Sequence, residues 1–362
     1  MSERKFSVSS SPHIRHEETV PKIMWTVFAV LALITVFGGL RVFCRDASGN
    51  FYPWPIFVVV ISVATAIGVE ALILAIRKQP LKRALDGSAA VTGILFAMVI
   101  SPAVPWYVVF FGALVAVAVG KQLFGGLGYN IWNPALVGRA FALMAWSAPM
   151  TRYWPDIFKG TPYPASDATI TDALSAATPL TAAKLGKPAA FTISDLFWGN
   201  VSGSLGETCA FLLLVGGIVM IILKYIDWRV PVVYIATTVI LCMLIPYGGN
   251  AKPAEWIKNM PWYKEMAFWA FSGGLFLGAF FMATDMVTTP ITAKGRVIFA
   301  LGCGILTAVI RKLGGYPEGV CYSILIMNTC VPLIDRFVKP RRFGTVTFYT
   351  PPQTAQTAGE TK

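Results

Sequence analysis

The chain has 362 residues, of which 56% are hydrophobic and 13% charged, and its mean hydropathy is +0.63. Soluble domains carry about 25% charged residues, so a chain this long and apolar has too little polar surface for water and takes lipid as its main solvent. The net charge of +12 does not signal nucleic acid, because the basic residues fall between apolar runs rather than along one soluble face.

Spanning a bilayer needs roughly 20 mostly apolar residues. The predicted elements, in chain order, are ten helices: Pro21–Leu40, Pro55–Ile76, Ser88–Val104, Trp106–Leu123, Pro134–Trp146, Glu207–Lys224, Val230–Tyr247, Met266–Thr284, Val297–Ile310 and Gly319–Phe337. The first follows a polar head and precedes further spans, so it reads as a retained helix rather than a cleaved signal. The fifth is short, and Gly125–Gly128 before it suggests a re-entrant or broken piece.

The Lys/Arg bias of the short loops sets the orientation. The tail with Arg4, Lys5 and Arg15, the loop with Arg77, Lys78, Lys82 and Arg83, and the tail with Arg336, Lys339, Arg341 and Arg342 are expected inside. Both termini are then cytoplasmic. Arg311 and Lys312 fall outside, as exceptions to the rule. The expected organisation is a tail (1–20), a five-helix unit (21–146), an external loop (147–206), a second five-helix unit (207–337) and a tail (338–362).

The two units resemble each other. Gly93-Ile-Leu-Phe-Ala-Met-Val-Ile-Ser-Pro102 is similar to Gly274-Leu-Phe-Leu-Gly-Ala-Phe-Phe-Met-Ala-Thr284, and Leu127-Gly-Tyr129 to Gly314-Gly-Tyr316. Five spans per unit would place the halves in opposite orientations, the inverted-repeat plan. The fold class expected is therefore an all-α polytopic membrane protein of about ten transmembrane helices in two inverted five-helix repeats.

None of the six cysteines forms a C-x-x-C pair, which points away from a zinc or iron–sulfur site within the chain. Cys44, just past the first apolar run, is the one expected to meet water. Catalytic triads, phosphate-binding P-loops and dinucleotide fingerprints are absent from the sequence. The external loop contains Asp172-Ala-Leu-Ser175-Ala176-Ala177-Thr178-Pro179, a hydroxyl flanked by small residues and fixed by a following proline. A bulky group could be attached to Thr178 without clashing with its neighbours. The ordinary alternative is a helix N-cap at Thr178 or Thr181.

That segment resembles the flavinylation motif D-x-x-S-G-A-T of a family of membrane redox subunits. The family includes the D subunit of the Rnf complex and the B subunit of the sodium-pumping NADH:quinone oxidoreductase. Ala176 departs from the motif, standing where the family usually has Gly. Tyr129-Asn-Ile-Trp-Asn-Pro-Ala135 looks like the family's N-P-A segment. Ala283-Thr-Asp-Met-Val-Thr288 looks like its A-T-D-P-V-T segment, with Met286 in place of Pro. The resemblance covers nearly the whole chain and fits the Rnf branch better in length. It implies FMN linked through its phosphate to Thr178 by a flavin transferase, with Asp172 and Ser175 in the recognition motif, and leaves room for a second, non-covalent flavin such as riboflavin. It also implies a bacterial inner-membrane complex that couples electron transfer between ferredoxin and NAD to Na⁺ or H⁺ movement. The partners implied are an external flavin-bearing subunit and membrane iron–sulfur subunits. The alternative from a different class is an inverted-repeat channel or secondary transporter, which would carry no covalent flavin.

Four further residues carry expectations. Glu70, late in the second span, either serves an ion path or pairs with a basic group such as Arg77. Asp285 either handles ions or caps the turn that follows it. Arg139, inside the fifth span, needs a counter-charge or a phosphate. Asn133 opens that span, where a helix N-terminus suits a polar ligand but a plain helix start with Pro at N1 is the simpler account.

Overall fold

The structure is a computed structural model that describes residues 18–44, 51, 53–151, 178–186, 191–248, 255–314 and 318–340. Among these residues it is all-helical, with no β-strand. The motif residues Asp172 and Ser175 lie outside the described residues, as do nearly all of both terminal tails and half of the expected external loop.

Each expected apolar segment contains a helix. The first unit comprises α1 (Val20–Phe43), α2 (Trp54–Ile76), α3 (Ser88–Val99), α4 (Trp106–Ala118) and α5 (Pro134–Ala145). Two short helices follow, α6 (Pro179–Lys184) and α7 (Ile193–Trp198). The second unit comprises α8 (Ala210–Ile222), α9 (Arg229–Leu244), the pair α10 (Trp262–Phe271) and α11 (Leu275–Met282), α12 (Ala293–Leu313) and α13 (Val320–Phe337). Among the described residues five helices are long and apolar enough to cross a membrane, and α10 with α11 makes a sixth if the bent pair is one span. The chain is thus a multi-pass membrane protein.

Several spans stop short. At 1.5 Å per residue, the 12 residues of α3 reach about 18 Å, well under the ~30 Å of hydrocarbon. Helix α3 was expected to run to Val104 but ends at Val99, where Ile100 turns extended (φ −102°, ψ 159°). The expected single span Met266–Thr284 is two helices bent by 62°. Ser272 is extended there, and Gly273 has φ +68°, a backbone state that disfavours any other residue. The Gly125–Gly128 segment is a turn, with Gly125, Gly126 and Gly128 at positive φ.

Packing within each unit follows one plan. Helix α2 packs on α3 and α4, and α4 on α5; in the second unit α9 packs on α12, and α12 on α13. Tyr234 of α9 ties this second group together, its hydroxyl 2.8 Å from Thr307 of α12 and 3.0 Å from Ser323 of α13. The chain direction defines two ends. Lys121, Asn133 and Asp285 lie toward one; Thr178, the break at Gly273 and the last turn of α12 lie toward the other. Cys44, expected to meet water, is buried.

Where α4 meets α5 the backbones approach closely. A Cβ on Gly138 would stand 2.7 Å from the Gly112 carbonyl oxygen and 2.8 Å from Ala116 Cβ. Small residues at a membrane helix crossing allow this approach, and overpacking it costs about 1–3 kcal/mol. Gly138→Val should therefore lower the thermal unfolding midpoint of the purified protein by several degrees. Gly68→Val should not, because a Cβ at Gly68 meets nothing within 4 Å. Equal midpoints for the two variants would contradict the crossing described.

Candidate functional site

Polar and charged side chains buried in the apolar body gather in two clusters, one toward each end. At the Lys121 end, Glu70 of α2 accepts from Lys121 Nζ at 2.8 and 2.7 Å and from Gln122 Nε2 at 3.0 Å. Lys121 also donates to Ser88 Oγ at 2.6 Å, and Ser88 Oγ donates to Asp86 at 2.5 Å. The expected partner Arg77 is not the one Glu70 uses; Arg77 donates to the Gln122 carbonyl at 2.7 Å. Parallel packing of α2 and α4 places Glu70 and Lys121, both toward the C-terminal ends of their helices, at one depth, and a buried ammonium fully donated to a carboxylate and a hydroxyl is the stable solution there.

Beside this pair lies a cavity of about 90 Å³ whose polar lining includes Lys121, Asn130, Asn133, Thr284 and Asp285. Asn133 is the N-cap of α5: its Oδ1 accepts from Ala135 N at 3.1 Å while its Nδ2 donates to the Met282 carbonyl at 3.2 Å. The cap role expected of it is present, and it adds a tie to the end of α11. Asp285 accepts from Thr288 Oγ1 at 3.3 Å, the geometry of the capping alternative, while lining the same cavity. The structure thus brings Asn133, Asp285 and the Glu70–Lys121 pair to one place.

At the other end, Arg139 of α5 meets two carboxylates. Its NH1 is 3.7 Å from Glu207 Oε1 and its NH2 bonds Glu318 Oε2. The counter-charge expected of Arg139 is thus supplied by protein. Glu207 lies before α8, which begins at Ala210 rather than at Glu207. Glu207 and Glu318 were not singled out from the sequence. Each sits in a short connection more than 65 residues from Arg139, so no local pattern reveals the cluster.

Arg311 and Lys312, expected in an external loop, are in the last turn of α12 and buried. Arg311 donates to the Trp269 carbonyl at 3.2 Å and the Ser272 carbonyl at 3.1 Å, the acceptors left open where α10 stops. Lys312 Nζ lies 4.0 Å from the Tyr247 ring and 4.3 Å from Trp269, a cation–π cage. They are not exceptions to a loop-charge rule, because they are not loop charges.

Thr178 sits over this same region as the N-cap of α6. Its Oγ1 is 2.8 Å from Thr181 Oγ1 and accepts from Thr181 N at 3.3 Å. It is 4% exposed. Leu180, two residues on, packs at Gly273 next to Arg311, and Lys184 donates to the Gly314 carbonyl at the end of α12. Burial there lowers the Lys184 pKa from its ordinary value. Helix α7 is closed by a capping box, in which the Thr192 hydroxyl and N–H hold Asp195 below the usual carboxylate range.

Removing one member of a buried ion pair strands the other, at about 3–5 kcal/mol. Lys121→Met should destabilise the purified protein by that order, and Glu70→Met combined with Lys121→Met should recover more than half of the loss. Losses that simply add in the double variant would show that the two residues do not interact.

A family model described as the NQR2, RnfD, RnfE family matches residues 7–344. The D subunit of the proton-translocating ferredoxin:NAD(+) oxidoreductase complex of Clostridium ljungdahlii is 42% identical over 351 residues, covering 94% of this chain and 96% of that one. The D subunit of the Na(+)-translocating ferredoxin:NAD(+) oxidoreductase complex of Acetobacterium woodii is 40% identical over 348 residues, covering 95% and 97%. The D subunit of the ion-translocating oxidoreductase complex of Stutzerimonas stutzeri is 39% identical over 314 residues, covering 81% and 86%. With a match running almost from end to end, the chain belongs to the NQR2, RnfD, RnfE family.

Proposed function

We propose that this chain is a flavin-carrying membrane subunit of a complex that couples electron transfer between ferredoxin and NAD to the movement of Na⁺ or H⁺. Subunits of this kind in two organisms, each at least 40% identical, carry those activities in their names. The observation that carries the flavin assignment is Thr178 itself. It ends the Asp172-x-x-Ser175-Ala-Ala-Thr178 motif and caps a helix anchored to the end of α12.

The local chemistry suits a phosphoester. An ester oxygen keeps its acceptor capacity, so Thr181 N–H and the Thr181 hydroxyl can still donate to Oγ1 after attachment. The basic groups Lys184, Arg311 and Lys312 lie at the same end of the molecule and favour a phosphate there. At 4% exposure, Oγ1 is open to a transferase only while α6 is undocked, so attachment precedes docking of the segment. Once bound, the flavin supplies one-electron and two-electron redox chemistry; this chain fixes its place and keeps it at high local concentration. The other subunits implied are the external flavin-bearing and iron–sulfur subunits of such a complex, together with the flavin transferase that matures this one.

The two units form an inverted pair of five spans each, in the bacterial inner membrane. The support is threefold. The sequences resemble each other across the units, the neighbour pattern of α2, α4 and α5 recurs in α9, α12 and α13, and each unit has a helix that stops short at the shared Gly-rich segment, toward its end in the first unit and just before it in the second. In addition, Gly120-Lys121 closely follows α4 toward one end as Arg311-Lys312 lies in the last turn of α12 toward the other. The Lys/Arg bias places the Lys121 end and both termini in the cytoplasm and Thr178 outside. Glu70 and Asp285, at the cytoplasmic end, are the candidates for ion entry.

Thr178→Val keeps the shape and removes the nucleophilic oxygen. The denatured wild-type chain, from cells with an active flavin transferase, should fluoresce as a flavoprotein in a gel. Thr178→Val should lose that fluorescence completely, and Thr181→Val should keep it. A non-fluorescent wild-type chain would move the reading to a channel or transporter. Reporter fusions test the orientation separately: a fusion at Lys184 should report outside and one at the C-terminus inside, and matching reports would overturn the inverted arrangement.

A further inference from the structure

The cluster around Arg139 carries more negative charge than it balances. Its three side chains are buried, at 8% for Arg139, 4% for Glu207 and 12% for Glu318. One guanidinium against two carboxylates leaves one unit of negative charge in the interior. An isolated charge in such a place is too costly to persist, so a bound cation or a proton removes it.

The open valences show where. Glu207 Oε1 and Glu318 Oε1 accept no hydrogen bond from any described donor. Arg139 brings the two carboxyl groups together, with its NH1 3.7 Å from Glu207 Oε1 and its NH2 on Glu318 Oε2. Two carboxyl groups crowded at one guanidinium in the interior are held together at least cost with a hydrogen on one of them. A separate side chain lies at the same spot: the Ser204 hydroxyl is 1% exposed and stands beside the Glu207 carboxyl, whose Oε2 accepts from Ser204 N–H at 3.5 Å.

We propose that Glu207 and Glu318 together hold one exchangeable proton, with Arg139 balancing the single negative charge that remains on the pair. In the loaded state one carboxylic acid donates its O–H to Oε1 of the other, and the cluster is neutral. On release the O–H bond breaks, the proton passes to water, and two carboxylates and one guanidinium remain. No electron moves in either direction.

The surroundings favour a proton over a larger ion. Among the described residues the side-chain oxygens in position are two carboxyl oxygens and one hydroxyl, too few to replace the hydration shell of a metal cation. Few other described groups face the pair. Arg139 comes from α5 and the Cys321 thiol, which donates to the Leu136 carbonyl, from α13. Gly274 brings only backbone from the break, and Arg311 of α12 is one residue further on, engaged with backbone carbonyls. The site joins α5 of the first unit to the connections before α8 and α13 and to the break at Gly274. Release of the proton therefore puts an unbalanced charge on the seam between the units. Nothing in this depends on a flavin at Thr178.

Infrared difference spectra of the purified complex containing this chain, recorded between acid and alkaline pH, test the assignment. The wild type should show one carboxylic-acid carbonyl band near neutral pH, moved to lower frequency in D₂O and by carbon-13-labelled glutamate. Glu207→Gln and Glu318→Gln should each abolish that band, and Asp285→Asn should leave it in place. Labelling identifies a glutamate without any substitution, so an unstable variant does not block the test. A wild-type spectrum without a glutamic-acid band, or a band that persists in both Gln variants, overturns the proposal. A band that Na⁺ titrates away at constant pH also overturns it, making this a sodium site.

Discussion

Inside a bilayer an interrupted helix cannot hand its open backbone groups to water, and among the described residues this chain leaves helices short at two such places. At the break after α3, Gly206 N–H donates to the Met98 carbonyl at 2.7 Å and Leu205 N–H to the Ile100 carbonyl at 3.3 Å. At the break between α10 and α11, Arg311 takes the Trp269 and Ser272 carbonyls, and Asn133 takes the Met282 carbonyl at the far end of α11. The first break is closed by the segment that opens the second unit, and the end of α11 by the residue that opens α5. The ties that satisfy the backbone are therefore also the ties that hold the two units together.

This explains where the charges are. A buried cation is tolerable only where carbonyls or carboxylates receive it, and interrupted helices supply the carbonyls. Arg311 and Lys312 occupy the break at one end; Lys121, Glu70 and Asn133 gather where α5 begins and α11 ends. Irregular backbone, buried charge and the cavity beside Lys121 coincide because each is tolerated only beside the others.

The apolar runs were legible in the sequence, and so was the Thr178 cap, since Thr-Pro is a helix-start signal that needs no tertiary partner. The breaks were not. A hydropathy window of about 19 residues reads through Ser272-Gly273-Gly274 because the flanks are aromatic and aliphatic, and Ile100 is itself apolar although it leaves the helix. Arg311 and Lys312 were misplaced for the same reason: the charge rule counts basic residues near span ends and has no means of seeing that a carbonyl 39 residues away accepts one of them. The Glu70–Lys121 and Arg139–Glu318 pairs are 51 and 179 residues apart, beyond any local pattern. The proposed acceptor hydroxyl of Thr178 comes from a motif whose Asp172 and Ser175 lie outside the described residues, so its assignment rests on the motif's chemistry and not on a local geometry.

The placement of α6 gives the proposed flavin a physical route to the proposed proton site. Leu180 packs at Gly273, and Gly274 packs against the Glu207 carboxyl, so the two sites share the break between α10 and α11. Two unit charges about 10 Å apart in a medium of effective dielectric about 20 interact by about 1.7 kcal/mol, more than a tenfold change in occupancy. If a flavin is held at Thr178, a negative charge added to it would raise the proton affinity of Glu207 and Glu318, and its removal would lower it. Coupling of this sort would act through space across the shared break and would require no large movement.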